Sequence, residues 1–147
     1  MGLDMYLYKR MYTKNWNHTV KRKEVTVKVD GEEVKGFDNP SYVIQQVGYW
    51  RKFNALHGFI VDNFAEGNDN CQEIWLDYGD VKKILRALKD EENQLEPTKG
   101  FFFGSQEKDE WYDTDVKNAI EVFESLLEEM ESEFGREYLD YFYQASW

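Results

Sequence analysis

The first twelve residues, MGLDMYLYKRMY, alternate in hydrophobicity, and this alternation constrains the fold more than any other stretch of the chain. Leu3, Met5 and Leu7 lie on one face of an extended chain, because successive side chains of a strand point to opposite sides. The intervening positions include two tyrosines, so the second face is partly apolar as well. Residues 2–12 are therefore predicted to form a strand inside a sheet rather than at its edge.

A second strand signal follows a loop of polar residues. Val25, Val27 and Val29 alternate with polar residues, and Asp30-Gly31 comes directly after them. An Asp-Gly pair is a strong two-residue hairpin signal because both positions tolerate a positive φ. We therefore expect a β-hairpin at Asp30-Gly31 with a return strand over about residues 32–37.

Helical spacing of apolar residues appears in four stretches of the chain. Helix starts are expected at capping residues such as Ser, Thr and Asp, and a glycine is a common stop. The first expected helix is capped by Ser41 and contains Val43, Ile44 and Val47, and the second covers residues 49–65 beyond Gly48. The third runs from Asp80 to about Asn93, and the fourth from Asp113 or Thr114 to Gly135.

Three further segments have the character of strands. They are a short piece at Trp75-Leu76, the three phenylalanines within GFFFG at 100–104, and the terminal EYLDYFYQASW. Strands and helices do not alternate regularly, which argues against a doubly wound parallel sheet. We predict a single α+β domain over residues 1–147, with three or four helices packed on a mainly antiparallel sheet. The sheet would include the N-terminal strand, the hairpin and a C-terminal strand.

Charge and composition exclude several classes of protein. The net charge of −11 argues against direct nucleic-acid binding, because no cationic excess is available to displace counterions. The acidic surface either serves solubility or competes for a basic groove as a nucleic-acid mimic would. In the second case Glu107, Asp109 and Glu110 are the expected partner-binding residues. The one cysteine, Cys71, forms no internal disulfide, and without a signal-peptide layout or a long apolar run we expect a cytoplasmic protein with no membrane span.

His57 is the most conspicuous candidate for a functional side chain. On a helix over residues 49–65 it would lie within the apolar face, with Asn54 at the edge of that face and Arg51 further round. A buried imidazole must be hydrogen-bonded. It is therefore either a core histidine bonded to a carbonyl or a tyrosine, or a ligand-contacting or acid–base group.

The second interpretation predicts a site for a nucleotide or a similar polar ring compound. Arginine supplies a planar fork for phosphate or carboxylate, and asparagine supplies both a donor and an acceptor. Cys71 as a nucleophile with His57 as its base has no supporting pattern around it, and the acidic stretch lacks the calcium-loop register. We predict no metal, no cofactor and no catalytic residue. The expected ligand-binding residues are Trp50, Arg51, Asn54 and His57, with Tyr112 and Tyr143 as stacking partners.

Four segments of the chain carry a family resemblance: MGLDMYL, YWRKFNALH, GFFFGSQEKDEWY and the terminal YFYQASW. Together they resemble a family of small proteins of phages, prophages and bacterial genomes that has no assigned activity. The resemblance runs in order from the first residue to the last. It implies a phage or mobile-element setting, in which small accessory proteins often counteract host defence.

Three functional hypotheses follow from these observations. The first is a cytoplasmic, non-enzymatic accessory protein that acts on a host pathway by binding a nucleotide-like ligand or a host protein. The second is an acidic inhibitor of a basic partner, and the third is a small nucleotide-acting enzyme that uses His57. The sequence leaves the oligomeric state open. The terminal Trp147 indicates that the end of the chain is docked, because free chain ends seldom carry a large aromatic side chain.

Overall fold

The computed structural model describes residues 2–89 and 110–147, and side chains in the second range from residue 113 onward. This part of the chain forms six strands and four helices in one α+β domain, which confirms the expected fold class. The elements are β1 (Asp4–Tyr12), β2 (Lys28–Val29), β3 (Glu32–Glu33), β4 (Tyr42–Arg51), α1 (Asn54–Phe64), β5 (Ile74–Trp75), α2 (Tyr78–Lys89), α3 (Glu110–Glu131), α4 (Glu133–Tyr138) and β6 (Leu139–Ser146).

The main sheet is antiparallel throughout and has the strand order β4-β1-β6-β5. The N-terminal strand β1 pairs with β4 on one side and with the C-terminal strand β6 on the other. The prediction of an inner N-terminal strand is therefore confirmed. One face of β1 packs in the core, and the tyrosines of its other face contact aromatic side chains of the neighbouring strands, so both faces are partly apolar.

Helices pack against one face of this sheet and form the core with it. Leu3, Met5 and Leu7 of β1 are fully buried there, together with Tyr143 of β6. The long helix α3 contributes Phe123, which is also fully buried, and α2 packs in turn against α3. In the residues that the structure describes, the domain therefore has two layers, with helices on one side of the sheet.

The structure overturns the expected helix after Ser41. Residues 42–51 form the extended strand β4, and α1 begins only at Asn54. Trp50 and Arg51 consequently lie on a strand, so the helical geometry proposed for them was wrong. Short apolar runs rich in valine and isoleucine fit either period, and pairing with β1 decides the outcome here.

Gly48 is a packing residue of β4 and does not separate two helices. The register between β1 and β4 shifts next to Leu7, so that Val47 is an extra residue on β4. A Cβ atom on Gly48 would approach the Trp50 ring to 2.7 Å and the Val122 side chain of α3 to 3.2 Å. The missing side chain therefore lets α3 lie close to the sheet.

The hairpin forms at the expected turn but is shorter than expected. Asp30 and Gly31 have φ values of 53° and 82°, as a two-residue turn of this type requires. The ladder pairs Lys28–Val29 with Glu32–Glu33, and one further bond joins the Val34 N–H to the Val27 carbonyl at 2.9 Å. The prediction that the hairpin belongs to the main sheet was wrong, because these strands make a separate two-stranded sheet. These four residues are exposed, so no core contacts extend the pairing.

The predicted start of the helix at Asp80 is corrected by its capping contacts. Helix α2 begins at Tyr78 after an Asp77 cap, because the Asp77 carboxylate accepts from the Asp80 backbone N–H at 2.8 Å. The Asp80 carboxylate in turn accepts a hydrogen bond from the Asp77 backbone N–H at 3.0 Å. The predicted end of this helix at Asn93 and the strand at 100–104 lie outside the described residues.

The last helical region differs from the prediction at both ends. Helix α3 begins at Glu110, before the expected caps, and ends at Glu131. Gly135 is not a stop, because it lies within α4, where its N–H donates to the Ser132 hydroxyl at 3.0 Å. Gly135 packs so closely on the Glu129 carbonyl that a Cβ atom has no space. The predicted C-terminal strand is confirmed as β6.

We expect Gly135→Ala to lower the free energy of unfolding by about 2 kcal/mol or more, because its methyl group must displace the backbone of α3. The matched control is Gly79→Ala in α2, where a Cβ atom meets only the Asp77 carboxylate at 3.4 Å. That change is expected to leave stability unchanged or raise it by up to about 1 kcal/mol. Urea unfolding of both variants measures the difference, and equal midpoints would contradict the packing argument.

Candidate functional site

The sheet face that points away from the helices carries a row of aromatic side chains. These positions alternate with the buried core positions of the same strands, and the cross-strand pairs Tyr6–Tyr49, Tyr8–Phe142 and Tyr12–Tyr42 set the rings side by side. Trp75 extends the row beyond Phe142 on β5. We call this set of seven rings the aromatic face: Tyr6, Tyr8, Tyr12, Tyr42, Tyr49, Trp75 and Phe142.

Ring contacts connect four strands across the aromatic face. Tyr49 lies 5.3 Å from Tyr6, and Tyr6 lies 6.0 Å from Tyr8, measured between ring centroids. Tyr8 continues to Phe142 at 5.0 Å, and Phe142 to Trp75 at 4.8 Å. These separations are in the range of favourable aromatic pairs, so the rings support one another in a continuous layer.

Arg10 joins this layer to the remaining two rings. Its guanidinium lies 4.4 Å from the centroid of Tyr42 and 4.3 Å from that of Trp75. Tyr42 in turn contacts Tyr12 at 5.4 Å. The Arg10 guanidinium also lies 3.6 Å from the Asp140 carboxylate, so stacking and an ion pair hold it in place.

Within the described residues the aromatic face is partly open to solvent: Phe142 is only 5% exposed, whereas the outer rings are more accessible, and the charged groups of the face are paired. Tyr42 and Tyr49 are each 45% exposed, and Trp75 is 41% exposed. At the end opposite the Arg10–Asp140 pair, Arg51 lies 3.9 Å from Asp4. The Tyr49 hydroxyl also donates to Asp4, and this bond raises the pKa of Tyr49. Two arginines facing two carboxylates leave this surface without an excess of either charge.

Sequence reasoning did not identify the aromatic face. The tyrosines that alternate with core residues in β1 are visible in the sequence. The sequence does not show that Phe142, although itself buried, lies on the opposite side of the sheet from Tyr141 and Tyr143. The sequence signal for this face consists of the even-numbered tyrosines of β1 together with the aromatic residues of β6. Only the sheet order shows that these strands are neighbours.

His57 lies in the interior of the domain, on α1. It is 1% exposed, its Nδ1 lies 2.6 Å from the Tyr143 hydroxyl, and its Nε2 lies 3.0 Å from the Asp69 carboxylate. Both ring nitrogens therefore have partners, as expected of a core histidine bonded to a tyrosine. Because Tyr143 is fully buried, its pKa is raised well above the usual value.

Asp69 also holds the end of the chain. Its second carboxylate oxygen accepts from the indole N–H of Trp147 at 3.1 Å, so the terminus is docked as the sequence indicated. The Gln144 amide donates to the Cys71 carbonyl at 3.1 Å in the same loop. The loop, α1 and β6 therefore share one hydrogen-bonded cluster around His57.

The structure places the other predicted ligand-binding residues in different parts of the domain. Trp50 points into the core, where its indole N–H donates to Asn118 at 2.9 Å and its ring stacks on Phe123 at 5.8 Å. Arg51, the next residue of the strand, points to the opposite face. Asn54 is buried on α1 and 3% exposed. Of the six predicted residues, His57 and Tyr143 are joined by a hydrogen bond.

Several predicted residues lie outside the described part of the chain. Glu107 and Asp109 fall in residues 90–109, and the structure describes no side chain for Tyr112 or for Glu110, the first residue of α3. Their proposed roles stay predictions. Within residues 2–89 and 110–147, no group of histidine, cysteine and acidic side chains is arranged to hold a metal ion. No helix in that part is long and apolar enough to span a membrane.

Comparison with known proteins returned no match among protein-family models, curated proteins or solved structures.

We expect the stability of the protein to fall with pH above about 10, partly because of Tyr143. Its raised pKa means that the folded state keeps a proton that the unfolded chain loses near the usual value of 10.0. This stabilisation is complete below that pH and is lost as the pH rises toward the folded-state pKa. Above that pH, the unfolding free energy of Tyr143→Phe should fall less steeply with pH than that of the wild type. The difference between the two slopes should be up to about 1.4 kcal/mol per pH unit. Parallel slopes from urea titrations of the two proteins would contradict this assignment.

Proposed function

We propose that this chain is a non-enzymatic, phage-type accessory protein of the host cytoplasm that binds a host protein through the aromatic face. The observation that carries the proposal is a layer of seven aromatic rings on a sheet face that no described helix covers. Soluble domains seldom expose a contiguous apolar patch of this kind without a binding role.

The chemistry of the aromatic face favours a protein surface as its partner. Tyrosine, tryptophan and arginine are the residues that dominate binding energy in protein interfaces, and all three are present here. The rings are already held by one another and by Arg10, so little side-chain freedom is lost on binding. The partner that fits is a folded protein with an uncharged, largely apolar contact surface.

Charge pairing argues against a nucleic acid on the same surface. Single-stranded nucleic acids stack on aromatic side chains, but they also need cations along the phosphate backbone. The cations of this face, Arg10 and Arg51, each lie within 4 Å of a carboxylate, from Asp140 and Asp4 respectively. A net charge of −11 adds a general repulsion of phosphates.

The position of His57 favours binding over catalysis. Its contacts with Asp69 and Tyr143 resemble an acid–base chain, but both it and Tyr143 are buried. The raised pKa of Tyr143 keeps its hydroxyl protonated near neutral pH, so it is a poor nucleophile. The nucleotide-like ligand stays a prediction, since the structure describes no side chain for Tyr112 of that predicted site.

We expect the double variant Tyr42→Ala, Tyr49→Ala to bind the host partner at least tenfold more weakly, because both rings are exposed anchors of the aromatic face. The matched control is Phe37→Ala, which removes a ring that is 57% exposed on the loop before β4 and is not one of the seven rings of the aromatic face. Tagged wild-type protein identifies the partner in host lysate, and calorimetry with the purified partner then compares the variants. Equal affinity of the double variant and the wild type would overturn the proposal.

A further inference from the structure

Within the described part of the chain, strand β4 forms an edge of the main sheet, and the bulge at Val47 is the one interruption of its pairing with β1. Its residues 42–50, YVIQQVGYW, carry no charge and no proline, whereas natural edge strands commonly use both to prevent pairing. Val43 and Ile44 are 43% and 52% exposed. Among the described residues, β1 is the only strand that pairs with β4, so its outer backbone groups are unpaired within that part of the chain.

A cleft of about 290 Å³ lies beside this strand, between β4 and α3. Two of its polar side chains are already engaged, because Lys9 pairs with Glu129 at 3.1 Å and Glu129 accepts from Tyr141 at 2.7 Å. Glu121 is exposed and has no ion pair with any residue that the structure describes. The cleft is lined by Lys9, Val47, Glu121, Val122, Ser125, Leu126 and Glu129.

We propose that the β4 edge and this cleft form a strand-addition site for an extended, lysine- or arginine-bearing segment of a partner protein. The backbone of the segment pairs with β4, and alternate side chains point toward α3. A lysine or arginine there packs its aliphatic stem on Val122 and Leu126 and places its charge beside Glu121. The proposal concerns a different surface from the aromatic face and does not depend on it.

Charge complementarity selects a basic segment over a second copy of this chain. Pairing of two β4 strands would direct only uncharged side chains, such as Gln45, toward the cleft of the other copy. It would also bring two α3 helices together, and residues 110–138 contain ten acidic and two basic side chains. A basic segment relieves that repulsion, whereas a second copy increases it.

The test uses a fluorescent ten-residue peptide that alternates lysine with valine and threonine. Fluorescence anisotropy should show that the peptide binds saturably to the wild-type protein. The peptide should bind at least tenfold more weakly to Glu121→Lys than to the control Glu32→Lys, which makes the same charge change on the hairpin. A peptide with N-methyl groups on alternate residues should also bind at least tenfold more weakly, because its backbone cannot complete the ladder. Hydrogen exchange of the β4 amides should slow when the unmodified peptide binds.

Three results would overturn the strand-addition site. Equal losses in Glu121→Lys and Glu32→Lys would show attraction by net charge alone. Equal binding of the methylated peptide would exclude backbone pairing with β4. A dimer of the free protein that protects β4 amides in the same way would assign the edge to a second copy. Trp75→Ala removes an aromatic-face ring on β5, at the edge of the sheet opposite β4, and should retain peptide binding, so failure of this site and failure of the aromatic face are distinguishable.

Discussion

The pairing of β1 with both β4 and β6 is the constraint on which the rest of the structure depends. It makes the first strand of the chain the centre of the sheet and joins the two ends of the sequence through β6. Because side chains alternate along each strand, one register places Leu3, Met5 and Leu7 in the core and the tyrosines between them on the other face. A slip of one residue would exchange these two faces, so the core and the aromatic face are specified together.

A few residues on the helical side of the sheet hold the helices closely against it. Gly48 allows α3 to approach the sheet, and Trp50 fills the space between them with its indole bonded to Asn118. At the other side of the core His57 connects α1 to β6 and to Asp69, so that a polar ring is buried at little cost. These contacts fix the helices to one face of the sheet and leave the opposite face uncovered in the part of the chain that the structure describes.

The distribution of charge separates the surfaces that matter for binding. Residues 110–138 hold ten of the acidic side chains, whereas the aromatic face contains two balanced ion pairs and β4 carries no charge from residue 42 to residue 50. A strongly acidic chain remains soluble through repulsion between its copies. The aromatic face is then a place where another protein can approach without a cost in electrostatic energy, whereas the strand-addition site uses the negative charge of Glu121 to select a basic segment.

The sequence by itself determined the α+β class, the inner N-terminal strand, the turn at Asp30-Gly31, the C-terminal strand and the docking of Trp147. Local periodicity and turn chemistry are sufficient for these features. Tertiary structure decided that residues 42–51 form a strand, because short valine- and isoleucine-rich runs satisfy both periods until a neighbouring strand selects one. It also decided which face of the sheet the helices cover, and with it whether an aromatic side chain is core or contact surface. That choice depends on long-range packing between elements far apart in the chain, which no local pattern contains.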